Sequence, residues 1–244
     1  MLKTKILFVP GWTYSEMKAR PFVQELQTLG YDIDLLPVPG LTGPALTQAW
    51  NLDDYVSWLE KEIQTRVSPG EPYILLAHSN GGRIALKFLS TKNELSQRAQ
   101  KLILIDSAGI TDRRWYKVLK KDFLGLGAKA FKGLAKQDRL RKLLYKVIRE
   151  KDYYEAEPVM RTTMANLLAV DLRFALPEIT QPTLLIWGSA DKMTPLILAK
   201  EMQKKMPQAE LKIVVGARHV PQFTHLSETV TLITNFLEEK NDKV

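Results

Sequence analysis

Ser79, Asp191 and His219 stand in that order along the chain, and each follows closely on a short apolar run. A hydroxyl, an imidazole and a carboxylate brought together form a nucleophile, a base that takes its proton and an acid that orients the base. Ser79 lies in "ILLAHSNGGRIAL" (Ile74–Leu86), where an apolar run gives way to an amphipathic one. To raise a serine hydroxyl above a sheet, the chain must turn sharply from strand into helix. The residues two before and two after the serine must then be small, and here they are Ala77 and Gly81. At the start of a helix, free N–H groups also favour developing negative charge beside the hydroxyl.

The chain has three histidines. His219, in "GARHVP" after an apolar run, is the expected base. His78 precedes the serine, and the sharp turn points it away, into a packing or hydrogen-bonding role. His225, near the start of the last helix, reads as a surface or capping residue. Asp191, in "WGSADKMTP", is the expected orienting acid. Asp106, in "LIDSAG", competes because it too ends an apolar run, but it reads better as a brace at the point where the chain leaves the core, or as a cap on nearby N–H groups. Acyl transfer also needs two donors for an oxyanion. Asn80 N–H, directly after the serine, is one candidate and Trp12 N–H, in "VPGWTY", is the other, with Gly11 allowing close approach.

These residues need a scaffold that delivers them to one edge. "KILFVP", "YDIDLLPV" (Tyr31–Val38), "YILLA", "KLILID", "TLLIWG" and "LKIVVG" (Leu211–Gly216) read as strands. Amphipathic stretches alternate with them, including Ser15–Leu29, "LDDYVSWLEKEIQ" and "LSETVTLITNFLEE". The pattern predicts an α/β architecture with about six mainly parallel strands and helices on both faces. Strands buried on both faces carry continuous Ile, Leu and Val, as these do. Ligands bind such sheets beyond the carboxyl ends of the strands, where Gly11, Trp12, Ser79, Asp191 and His219 all fall. Residues 111–180 break the rhythm with helical runs alone. They are expected to form a helical cap inserted between the core segments 1–110 and 181–244.

The formal net charge is +8, and residues 111–152 hold 14 Lys/Arg against 5 Asp/Glu. Three explanations of this local excess stay open, with the first favoured: a solvated face over an apolar underside that includes Trp115, a field that attracts acidic substrates, or weak contact with an anionic surface. No nucleic-acid motif accompanies the charge. The 244 residues include no cysteine, which excludes a disulfide framework and a thiolate nucleophile. The few histidines lack ligand spacing, so neither metal nor organic cofactor is expected. The N-terminal "MLKTKILFVPGW" has no signal-peptide pattern, and no uncharged stretch is long enough to span a membrane. The expectation is a cytoplasmic protein.

Together, "VPGWTY", "AHSNGG", "WGSADKMTP" and "GARHVP" make the chain similar to the α/β-hydrolases over nearly its whole length. The resemblance identifies these segments with the family's oxyanion loop, nucleophile elbow, acid loop and histidine loop. Ala77 stands where the family usually has glycine, and Pro10 where it commonly has histidine. The resemblance implies a capped serine esterase, and a cap of this size is expected to roof a pocket for small to medium apolar esters or lactones, with Gly11, Trp12 and Trp115 at the substrate. Cofactor-free haloperoxidases share the serine triad. "GGRIAL" beside a basic cap also resembles lyases that make a menaquinone precursor from an acidic substrate, although Arg83 reads as a solvated surface residue. A triad-dependent lyase or C–C hydrolase of acidic metabolites, and a catalytically silent binding protein, are the alternatives.

Overall fold

The computed structural model describes residues 4–12, 16–111 and 157–239. Six strands, β1 (Lys5–Val9), β2 (Ile33–Leu35), β3 (Tyr73–His78), β4 (Ala99–Ile105), β5 (Thr183–Gly188) and β6 (Ala209–Val214), form one sheet. Their order is β2-β1-β3-β4-β5-β6, and every neighbouring pair is parallel.

Successive side chains of a strand point to opposite faces, so an apolar run buried on both sides feeds two cores at once. On one face, Leu75, Ala77, Leu102, Leu104, Leu185 and Trp187 meet α2 (Leu52–Arg66), α3 (Asn80–Leu89) and α6 (Leu196–Lys205). On the other, Ile6, Phe8, Ile74, Leu76, Ile103 and Ile186 meet α1 (Glu16–Thr28) and α8 (Leu226–Glu238). The short helices α4 (Glu94–Gln97) and α7 (Pro221–Thr224) complete the connections. Asn51 caps α2 by accepting from Asp53 and Asp54 N–H, while Asp54 accepts from Asn51 N–H at 2.7 Å.

Two strands differ from expectation. The run Tyr31–Val38 pairs only over Ile33–Leu35. Pro37 and Pro39 have no N–H to continue a ladder, and Val38 N–H turns to Thr42 Oγ1 at 3.0 Å. The last strand runs from Ala209 to Val214, two residues earlier than its apolar run implies, because Ala209 already pairs with Thr183 and Gly216 turns the chain at φ 79°.

Lys101 lies buried in β4, and its Nζ donates to Phe236 O at 2.6 Å and Glu239 O at 3.1 Å. A cation thus closes the carbonyl end of α8, where the helix dipole is negative. Between β4 and β5 the described residues include α5 (Pro158–Leu168) and a 3₁₀ turn at Leu176–Glu178. Leu167, Leu172, Ala175 and Leu176 belong to the same core as α2 and α3. Arg173 donates to Thr111 O, to Asp171 and, at 2.7 Å, to Glu201 of α6. It therefore ties the point where the chain leaves the sheet to the point where it returns. Trp115 and the basic helical runs lie outside the described residues.

Candidate active site

Four strand ends deliver the chemistry. Ser79 occupies the turn between β3 and α3 with φ 51° and ψ −120°, a left-handed conformation that side-chain-bearing residues rarely adopt. Neighbouring backbone holds it there. Ser79 N–H donates to Ile105 O at 3.1 Å, and Ser79 O accepts from Gly82 N–H at 3.0 Å and Ala108 N–H at 2.9 Å. The turn presses α3 against the end of β1, so that a Cβ on Gly81 would stand 2.1 Å from Val9 O. Gly81→Ala must therefore displace backbone, and a cost of about 1–3 kcal/mol is expected from the overpacking. In a chain of this size that is a fall of roughly 2–12 °C in the thermal midpoint. An unchanged melting curve would show that the turn has slack.

His219, in the loop after β6, places Nε2 2.9 Å from Ser79 Oγ and Nδ1 2.8 Å from Asp191 Oδ2. With Nδ1–H donating to the carboxylate, Nε2 carries the lone pair that accepts the serine proton. Asp191, in the loop after β5, is buried, yet its carboxyl pKa is lowered. Burial alone would raise it, but donors overcome that effect, the hydrogen bond and charge of His219 foremost, then Thr194 and Met193. Met193 N–H donates to Oδ1 at 2.7 Å and Thr194 Oγ1 to Oδ2 at 2.6 Å. Asp106, Asp191 and His219 each bring a potential metal-ligand atom within 4.8 Å of the others. Within this trio, Asp191 and His219 are held by hydrogen bonds to each other and to Ser79, Thr194 and Met193.

The remaining expected residues divide. Gly11 and Trp12 follow β1: a Cβ on Gly11 would stand 2.8 Å from Ser79 Cβ, and Trp12 packs, partly buried, against the core. Asn80 is buried at the first turn of α3. Trp115 lies outside the described residues. His225 stands at the N-cap position of α8 and bonds Thr224 Oγ1 through Nδ1 at 2.9 Å. Asp106 Oδ1 accepts from Gly188 N–H of β5 at 2.9 Å. Arg83 corrects the sequence reading. It is 3% exposed, not solvated, and it donates to Val170 O. Burial lowers its pKa to about 10, partly offset by the charge of Asp171.

Two supports are seen only in three dimensions. Thr194 gives Asp191 both its hydroxyl and its N–H, and is itself placed by Trp187 Nε1, which donates to Thr194 O at 2.6 Å. An aspartate followed three residues later by threonine is a turn signature that could have pointed to it. His78 is buried, and its Nε2–H donates to His219 O at 2.7 Å and anchors the histidine loop. Burial, and next the nearby His219, push its pKa down to about 3, so it stays neutral. Nothing in the sequence pairs positions 78 and 219, which lie 141 residues apart.

Known proteins resemble this chain in sequence or in fold. Over 74 residues the chain is 39% identical to a pimeloyl-[acyl-carrier protein] methyl ester esterase of Photobacterium profundum, a match spanning 30% of this chain and 29% of that protein. Over 62 residues it is 40% identical to a 2-hydroxy-6-oxononadienedioate/2-hydroxy-6-oxononatrienedioate hydrolase of a Pseudomonas species, spanning 25% of this chain and 22% of that one. Less than a third of the length of each of these two relatives is therefore matched. The crystal structure of a bromoperoxidase from Bacillus anthracis superposes with a TM-score of 0.70 over 97% of this chain and 92% of that one; at 18% identity this is a likeness of fold. The model of the alpha/beta hydrolase family matches residues 6–231. With the parallel sheet, the strained serine turn and the Ser79–His219–Asp191 chain of hydrogen bonds, that match shows that this protein belongs to the alpha/beta hydrolase family.

Proposed function

We propose that this protein is a serine hydrolase that cleaves carboxylic esters, lactones included, through an acyl-enzyme. The observation that carries the reading is the continuous line Ser79 Oγ, His219 Nε2, His219 Nδ1, Asp191 Oδ2, with both links under 3 Å. In this reading Ser79 Oγ attacks the ester carbonyl while its proton passes to His219 Nε2. The negative charge moves onto the carbonyl oxygen, towards the N–H groups of Trp12 and Asn80. As the C–O bond to the alcohol breaks, His219 returns the proton to the departing oxygen. Water then attacks the acyl-serine by the same route, and the acid and the free serine are released. Asp191 holds the imidazole in the tautomer that each step requires.

The segment 111–180 would act as a cap over the site, with Trp115 beneath it and Trp12 on the opposite wall. Such a roofed pocket suits small to medium apolar esters better than long triglycerides. The basic stretch would lie mainly outside, where it could also meet an anionic surface weakly; among the described residues, no helix is long and apolar enough to cross a membrane.

A second reading, a hydrolase or lyase of an acidic substrate, has one observation in its favour. Arg83 lies one helical turn beyond Ser79, and its buried Nε has no hydrogen-bond partner among the described residues. A buried cation short of partners gains from an anion. A fluorophosphonate probe should label the protein at Ser79, which separates an enzyme from a silent binding module. A panel of p-nitrophenyl esters, graded in length and with one carboxylated member, should give the highest kcat/KM on short neutral esters and the same turnover after exhaustive chelation. A marked preference for the carboxylated ester would favour the second reading. Best activity on long-chain emulsions would remove the roofed pocket.

A further inference from the structure

Asp106 is wholly buried at the end of β4, and its backbone is held at φ 40°, in the region that favours glycine. Its carboxyl faces that of Asp191, a potential ligand atom of each lying within 4.8 Å of the other and of one on His219. The two carboxyls are served very unequally. Asp191 receives hydrogen bonds from Met193 N–H, Thr194 N–H, Thr194 Oγ1–H and His219 Nδ1–H. Asp106 receives one, from Gly188 N–H, and no donor among the described residues bonds its other oxygen, the buried Oδ2.

Two buried carboxylates side by side repel each other when both are ionised, so at neutral pH one keeps a proton, and it goes to the one with fewer donors. The titratable groups around Asp106 are Asp191 from the β5 loop, His219 from the β6 loop and, beyond that ring at 5.0 Å between centroids, His78 at the end of β3. His78 is neutral, for the reasons given above.

We propose that Asp106 is a positioning residue held as the neutral acid, its Oδ2–H directed at the Asp191 carboxylate so that Asp191 stays charged and aligned on His219. The proposal rests on the triad reading. Its direction agrees with the pKa of Asp106, raised to about 9 by burial first and then by the charge of Asp191. It also accounts for an aspartate in a left-handed conformation: the backbone there places one oxygen on Gly188 N–H and leaves the other for the proton.

The test compares the wild type with Asp106→Asn and Asp106→Ala. Asparagine offers the same shape, an oxygen for Gly188 N–H and an N–H for Asp191, and it tolerates the positive φ. Alanine offers none of these. On p-nitrophenyl butyrate near neutral pH, the alanine variant is expected to lose about 10- to 100-fold in kcat. The asparagine variant should recover most of that loss. The wild-type rate should fall on an alkaline limb near the pKa of about 9, and in Asp106→Asn this limb should move up by about one pH unit or more, because asparagine cannot ionise. Infrared spectra at neutral pH should show the carbonyl stretch of a protonated carboxylic acid in the wild type and lose it in Asp106→Asn. This band does not depend on turnover, so it tests the neutral acid even if the enzyme reading fails. Loss of the band together with the shifted limb supports the proposal. It is overturned if Asp106→Asn is as damaging as Asp191→Asn, if the band survives the substitution, or if the alkaline limb is unmoved. Should Asp106→Ala fail to fold, the asparagine variant still decides on these readouts.

Discussion

Replacing Ser79 with alanine is expected to lower p-nitrophenyl ester turnover by about four to six orders of magnitude while leaving the fold intact. The substitution removes one oxygen, the atom 2.9 Å from His219 Nε2. Removing the nucleophile leaves His219 nothing to activate except water, which is not held in the serine's place. The backbone hydrogen bonds of residue 79 to Ile105, Gly82 and Ala108 involve no side-chain atom, so the turn should survive. Alanine has a Cβ like serine and bears a similar strain at φ 51°. The thermal midpoint should therefore change little, and fluorophosphonate labelling should disappear. Ester turnover near the wild-type rate in a folded Ser79→Ala protein would remove Ser79 from the mechanism and the acyl-enzyme with it.

Asp191→Asn should produce the second largest loss, about four orders of magnitude in kcat, on the scale known for a triad aspartate. The shape is preserved and the charge is not. Asparagine that offers Nδ2 to His219 forces Nδ1 to become the acceptor, so the ring proton moves to Nε2, the nitrogen that must take the serine proton. If its oxygen faces the ring instead, the tautomer survives, but the imidazolium formed in the transition state loses its counter-charge. Both arrangements slow the reaction, by wrong tautomer or by weaker electrostatic support. In the first arrangement the amide oxygen still accepts from Met193 and Thr194 N–H, as Asp191 Oδ1 does, and these two donors favour it. The loop should consequently hold its place and the loss should fall mainly on kcat. An Asp191→Asn protein that keeps most of its kcat would point to another carboxylate, with Asp106 the nearest.

Much of the architecture was legible because it rests on local chemistry. Continuous Ile, Leu and Val runs alternating with amphipathic ones specify strands buried on both faces between helices, and six parallel strands formed. Small residues around Ser79 specify a turn too tight for side chains, and Gly81 does meet Val9 O. The positions of Gly11, Trp12, Asp191 and His219 just after strands follow from the rule that a parallel sheet gathers its ligands at one edge.

Other features needed the tertiary structure because they depend on which strand lies beside which. The sheet order puts the ends of β3, β4 and β5 side by side, which brings two aspartates far apart in sequence, at positions 106 and 191, within 4.8 Å of each other. Arg83 reads as a surface residue from its polarity, but the returning segment at Val170 covers it. His78 Nε2 finds His219 O only once the histidine loop has folded back over β3. Short-range sequence encodes turn geometry and burial periodicity, because these act over a few residues. The protonation state of a buried acid is set by the sum of donors and charges converging on it from distant parts of the chain, and only the folded packing determines that sum.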